Sequence, residues 1–116
     1  MAALTLLHNP RCSKSREALA LLEQAGAEVQ VRRYLDDPLD GEELRGLIAR
    51  LDGKLSDLVR ANETEWKSLG ADREDESQVV AAILAHPRIL QRPILDNGER
   101  AVIGRPPEAI TSLLES

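Results

Sequence analysis

Two rhythms of apolar residues alternate along this chain and set out its elements. Ala3-Leu4-Thr5-Leu6-Leu7 is a short apolar run stopped by Asn9-Pro10, which predicts a buried strand breaking into a loop. From Ser13 the period changes. Ala18, Leu19, Leu22 and Ala25 recur at helical spacing, Ser13 or Cys12 can cap the first turn, and Gly26 stands where a glycine ends a helix. Glu28 to Tyr34 then alternates, with Val29 and Val31 on one face and Gln30 and Arg32 on the other, as a second strand would. A right-handed crossover lays that strand parallel to the first.

Asp36-Asp37-Pro38 breaks the pattern, and Asp40 begins a helix with Leu44, Leu47, Ile48 and Leu51 on one face, stopped by Gly53. Short helical pieces follow over Leu55 to Arg60 and Glu63 to Leu69. A clearer helix carries Val79, Val80, Ile83 and Leu84 as its apolar stripe and ends at Pro87. Pro93 to Asp96 and Arg100 to Ile103 flank Asn97-Gly98, a strong hairpin signal. Pro106-Pro107-Glu108 opens a last amphipathic helix with Ile110, Leu113 and Leu114. The order β-α-β, helical insertion, β-β-α predicts an α/β fold of one domain over residues 1–116. Its expected form is a four-stranded mixed sheet of thioredoxin-like type flanked by helices, a layout that commonly presents a thiol at the start of its first helix.

Composition narrows the function. With 116 residues, 42% apolar and 30% charged, the chain has the balance of a single globular domain. A net charge of −5 argues against nucleic acid or an anionic membrane as partner, since both need a positive surface field. Any anion site must then be a local concentration of arginine. No apolar run approaches the roughly 20 residues of a membrane span, and Ala2 to Leu7 is too short and lacks the basic flank of a signal peptide. A cytoplasmic monomer is expected. One cysteine excludes an internal disulfide, and with two histidines it is too few for a typical structural zinc site, so no metal is expected.

That cysteine lies in His8-Asn9-Pro10-Arg11-Cys12-Ser13-Lys14-Ser15-Arg16. A lone cysteine is most often a small buried hydrophobe, but a polar loop after a strand is a poor place to bury a thiol. The nucleophile is the thiolate, and a free-cysteine pKa of about 8.5 leaves little of it at neutral pH. The first turn of the helix supplies unpaired N–H groups and a positive dipole end, Arg11, Lys14 and Arg16 add charge, and Ser15 adds a hydroxyl donor. His8 is either a cation or hydrogen-bond donor to this site, or a loop histidine bonded to backbone. The same loop can hold an oxyanion. Ser15 stands where a Cys-x-x-Cys pair would place its second thiol, so an external thiol must regenerate Cys12.

The segment from His8 to Arg16 resembles the active-site loop of the glutaredoxin-coupled arsenate reductases, the ArsC family. The resemblance continues through Tyr34-Leu35, Leu58-Val59-Arg60, His86-Pro87, Gln91-Arg92-Pro93-Ile94 and Gly104-Arg105-Pro106-Pro107. It implies that Cys12 is the nucleophile, with His8 and Ser15 in its catalytic set, and that Arg60, Arg92 and Arg105 bind the oxyanion. It also implies that Pro93 is a cis-proline facing the thiol. Arsenate would bind the arginines, Cys12 would displace an oxygen, glutathione would attack the adduct, and glutaredoxin would complete reduction to arsenite. Glutathione is then a co-substrate, and no tightly bound cofactor is expected. Without the resemblance each arginine would read as an exposed charge on a solvated face, as does Asp72-Arg73-Glu74-Asp75-Glu76. Two other functions fit the same fold: a glutathione-dependent thiol oxidoreductase of another substrate, and a non-enzymatic regulator like the Spx transcription factors. The arginine triad favours the reductase, and Ser15 counts against an Spx-type Cys-x-x-Cys switch.

Overall fold

The opening apolar run becomes β1 (Leu4–Leu7), an inner strand of a four-stranded sheet, in a computed structural model that describes residues 4–114. Ala3, which the pattern adds to this strand, lies outside the described residues. Strand order is β2-β1-β3-β4, with β2 at Val29–Arg32, β3 at Ile94–Asp96 and β4 at Ala101–Ile103. β1 runs parallel to β2, with Leu4 opposite Val29, and antiparallel to β3, with Leu6 opposite Leu95; β3 pairs antiparallel with β4. The mixed thioredoxin-like sheet expected from the element order is therefore present.

Alternation along β1 sends Leu6 and Leu7 to opposite faces, and both faces are buried. Leu6 joins Ala18 and Leu22 of α1 (Ser13–Gln24) with Leu95, Ile110 and Leu113. Leu7 joins Leu44 and Leu47 of α2 (Gly41–Arg50), Trp66 of α3 (Thr64–Leu69), and Val79 and Ile83 of α4 (Glu76–Ala85). The sheet thus separates two apolar layers. Local chemistry fixes the helix ends. Asp40 Oδ1 accepts from the Glu43 amide at 2.8 Å while Glu43 Oε1 accepts from the Asp40 amide at 3.0 Å, a reciprocal cap on α2. α1 terminates before Gly26, whose φ of +69° is the left-handed conformation a glycine supplies.

Four expectations change in detail. Val31 is exposed although Val29 on the same face is partly packed, because β2 is an edge strand and the layer of α1 reaches only its first residues. Leu84 is exposed, and the buried face of α4 includes Ala82 instead; 79, 82 and 83 follow the three- and four-residue steps of one stripe. The last helix is a 3₁₀ segment, Pro107–Leu113, whose buried Ile110 and Leu113 are three residues apart, as its three-residue turn requires. The turn at Asn97-Gly98 widens to Asn97–Arg100, because Asn97 Oδ1 accepts from the amides of Glu99 and Arg100. In the charged run, Asp75 caps α4 by accepting from the Gln78 amide, while its four neighbours are exposed. Among the described residues no helix is long and apolar enough to cross a membrane.

Candidate active site

Cys12 is the residue that caps the start of α1, with extended backbone at φ −96°, ψ 123°. The loop carrying it is built from its own backbone. The His8 amide donates to the Arg32 carbonyl at 2.9 Å, the Cys12 amide to the Asn9 carbonyl at 3.0 Å, and the Arg11 amide to Asn9 Oδ1 at 3.0 Å. Asn9-Pro10 thus forms the turn that delivers a thiol to the helix N-terminus. The flanking charges are not what the sequence suggests. Arg16 donates to the Pro10 carbonyl, Lys14 pairs with Glu17, and Arg11 is exposed.

Burial by itself would push the Cys12 thiol up. The backbone N–H groups of Ser15 and Lys14 and the guanidiniums of Arg92 and Arg105 outweigh it and hold the pKa below that of a free thiol. Neither amide closes a full hydrogen bond to the sulfur, whereas Arg105 Nη2 lies 3.8 Å from Sγ. The cations that reach Cys12 are therefore distant in sequence, not adjacent.

Ser15 and His8 form a second, buried unit behind the thiol. Ser15 is fully buried; its Oγ accepts from the Asn9 amide at 3.0 Å and lies 2.6 Å from His8 Nδ1. Burial, with Arg33 and Arg16 nearby, pushes His8 below its usual 6.5, so the ring is neutral at physiological pH. The Ser15–His8 bond carries one proton, the hydroxyl's or the ring's according to the imidazole tautomer. The Ser15 side chain is thus bonded to His8 and Asn9, and Ser15 acts on the thiolate through its backbone N–H. The lowered pKa of His8 favours a neutral hydrogen-bonding ring over a cation beside the sulfur.

The helical insertion and the hairpin bring the arginines together. Val59 bridges Leu90 antiparallel, the Arg60 amide donates to the Ile89 carbonyl at 2.7 Å, and the Gln91 amide to the Leu58 carbonyl at 2.6 Å. These bonds set Arg60 beside Arg92. The Arg92–Pro93 bond is cis, as the resemblance implies, and so is Arg105–Pro106. The Gly104 amide donates to the Pro93 carbonyl at 2.8 Å, and Arg105 Nε to the Arg92 carbonyl at 2.9 Å. Gly104 is needed there because a Cβ would lie 2.8 Å from Pro93 Cγ.

The three guanidiniums feel one another. Burial lowers the Arg60 pKa, Arg92 and Arg105 lower it further, and Glu63 opposes them. Arg60 Nη1 is ion-paired to Glu63, which also faces Arg88 Nη2 at 3.8 Å. Arg92 has no such partner: its Nε and Nη1 are buried without a hydrogen bond. Buried polar groups are normally paired, so a guanidinium with two idle donors is prepared for an acceptor that arrives from outside. Three guanidiniums and one carboxylate leave two positive charges around Cys12. Planar forks of this kind hold tetrahedral oxyanions, and a thiolate among them is placed to attack one.

Two residues of the site escape the reading from sequence. Glu63 follows Arg60 by three positions, a spacing that favours pairing on a helical turn and could have flagged it. Tyr34 is the only tyrosine of the chain and is 1% exposed beside the site, where Arg92, Arg60 and Cys12 all act on its hydroxyl. Only its place in Tyr34-Leu35 marked it beforehand.

Comparison with known proteins gives the chain its relatives. The chain is 39% identical to the arsenate reductase of Neisseria meningitidis serogroup A over 117 aligned residues, covering 98% of this chain and all of the relative. It is 38% identical to the arsenate reductase of Haemophilus influenzae, covering 97% and 99% of the two. The solved structure of an arsenate reductase from Vibrio cholerae superposes with a TM-score of 0.85 at 38% identity, over 98% of this chain and 97% of that one. The model of the ArsC family matches residues 7–113. That span begins on β1, takes in the thiol loop and all three arginines, and closes on the last buried leucine; the chain belongs to the ArsC family.

Proposed function

We propose that this protein is an arsenate reductase in which Cys12 forms the covalent adduct and external thiols supply both electrons. The observation that carries this reading is Arg92, whose two buried, idle donors stand close enough to Cys12 to favour its thiolate. Arsenate supplies the missing acceptors, and Arg60 and Arg105 share its charge.

Cys12 attacks arsenic, a sulfur–arsenic bond forms, and one arsenate oxygen leaves as water after protonation. The arginines and the first amides of α1 offset charge as that bond forms. Glutathione, a co-substrate, adds its sulfur to arsenic with loss of a second water. The glutaredoxin thiolate then attacks the glutathione sulfur. The electron pair of the broken sulfur–arsenic bond stays on arsenic, reducing it from the +5 to the +3 state, and glutathione departs as a mixed disulfide with glutaredoxin. Water finally displaces Cys12, releasing arsenite and restoring the thiolate. External reduction is required because the chain has no second cysteine. A free thiol with glutathione at hand fits the cytoplasm.

The test is NADPH oxidation coupled through glutathione, glutaredoxin and glutathione reductase. The expected result is a rate that depends on arsenate and disappears in Cys12→Ser. Equal rates in the two proteins, or a rate indifferent to arsenate, would overturn the proposal.

A further inference from the structure

Tyr34 stands just beyond β2, with its ring in the apolar layer that includes Leu7, Val59, Leu90 and Ile94. These residues lie one or two positions in sequence from His8, Arg60 and Arg92, so the backbone that delivers the site also clamps the ring. Its hydroxyl is buried and has no hydrogen-bond partner, the same condition as Arg92 Nε and Nη1. The Asn9 side chain is near enough to act on it but closes no bond of normal geometry. Guanidiniums cannot accept a hydrogen bond. Idle O–H and N–H donors in one buried region share a single remedy, an incoming group rich in acceptors.

We propose that the Tyr34 hydroxyl is the neutral hydrogen-bond donor of the oxyanion site, bonding to the same anion that fills the idle donors of Arg92. The inference rests on the arsenate reading and adds a residue to it. Burial, opposed by Arg92 and Arg60, pushes the phenol up to about 12, so it stays protonated wherever the enzyme works. A phenol adds a directed bond without adding charge. That suits a site in which further cations would repel those already present, as Arg60 shows.

The experiment is calorimetric titration of Cys12→Ser and of Cys12→Ser/Tyr34→Phe with sodium arsenate and, separately, with inorganic phosphate. Thermal unfolding of both proteins is followed in oxyanion-free buffer. Phenylalanine keeps the packing and deletes one idle polar atom, so the unfolding midpoint should hold or rise while the arsenate dissociation constant increases about ten- to a hundredfold. Equal affinities in the two proteins would overturn the proposal, as would a lower midpoint for the double variant, which would mean the hydroxyl is already bonded in the free protein. If arsenate fails to bind the parent but phosphate binds and weakens with Tyr34→Phe, the arsenate reading falls and the donor role stands. If neither anion binds, both fall.

Discussion

Replacing Ser15 by alanine separates two roles that the sequence runs together. The hydroxyl satisfies two buried neighbours, His8 Nδ1 at 2.6 Å and the Asn9 amide at 3.0 Å, inside a niche where Ser15 has no exposure. Alanine leaves both unpaired. Each orphaned group costs about 1–3 kcal/mol, so Ser15→Ala should lose about 2–6 kcal/mol of unfolding free energy. Against a typical total of about 5–15 kcal/mol that is a large fraction. Urea unfolding reads it directly, as a lower midpoint at unchanged slope. The Cys12 thiolate, by contrast, draws on the Ser15 backbone N–H, which alanine retains. Titration of Cys12 through its thiolate absorbance should therefore move by less than about half a unit. Wild-type stability together with a Cys12 pKa raised by about one unit, worth about 1.4 kcal/mol, would refute the reasoning and return the hydroxyl to the sulfur.

Other consequences can be checked with the same assays. Arg92→Met keeps the aliphatic stem and removes two buried idle donors, so stability should hold or rise while kcat/KM for arsenate falls by about a hundredfold or more; a parallel loss of stability and activity would make Arg92 structural. Gly104→Ala drives a methyl to 2.8 Å from the rigid Pro93 ring and 3.2 Å from Ile110 Cγ2, and should cost about 1–3 kcal/mol in urea unfolding. An unchanged midpoint would show that the hairpin can yield there. His8 titrates below 6.5 in the folded chain, so the unfolded chain binds its proton first as pH falls. The stability it contributes is complete well above 6.5 and is lost as pH falls through the folded pKa; as pH falls below 6.5 the wild type should lose stability more steeply than His8→Gln, and identical slopes would exclude His8 as the cause.

How much of this was legible follows from how local each feature is. Strand, loop and helix around Cys12 are contiguous, and Asn9-Pro10, a capping position and a helical period fix them within a few residues. The Asn97-Gly98 hairpin and the capped α2 are readable for the same reason. Leu84 is misplaced, and the exposure of Val31 unforeseen, because a period shows which residues share a face but not how far the next layer extends over it. The arginines carry no local signal. Their convergence depends on the Val59–Leu90 bridge and on the contact of Gly104 with Pro93, both long-range pairings, and only the family resemblance pointed to them. Ser15 shows a different shortfall. Its residue type announces a hydroxyl but not its partners, and burial set that hydroxyl against His8 and the Asn9 amide.

The charges around Cys12 explain why this site needs neutral donors as well as arginine. The chain carries −5 overall, but charges more than about 8 Å apart across solvent are largely screened at physiological salt. The groups within the site decide what the anion feels. Three guanidiniums less Glu63 leave two positive charges, and the Cys12 thiolate takes one. What remains balances a singly charged oxyanion and falls short of a doubly charged one. Another cation inside the site would correct that at the expense of guanidiniums that already depress one another; Arg88, the fourth guanidinium near Glu63, is largely solvent-exposed and so screened. Backbone amides at the start of α1 and a buried phenol add attraction without adding repulsion. An acidic protein can in this way bind an anion and attack it with another anion, provided that most of the added donors carry no charge.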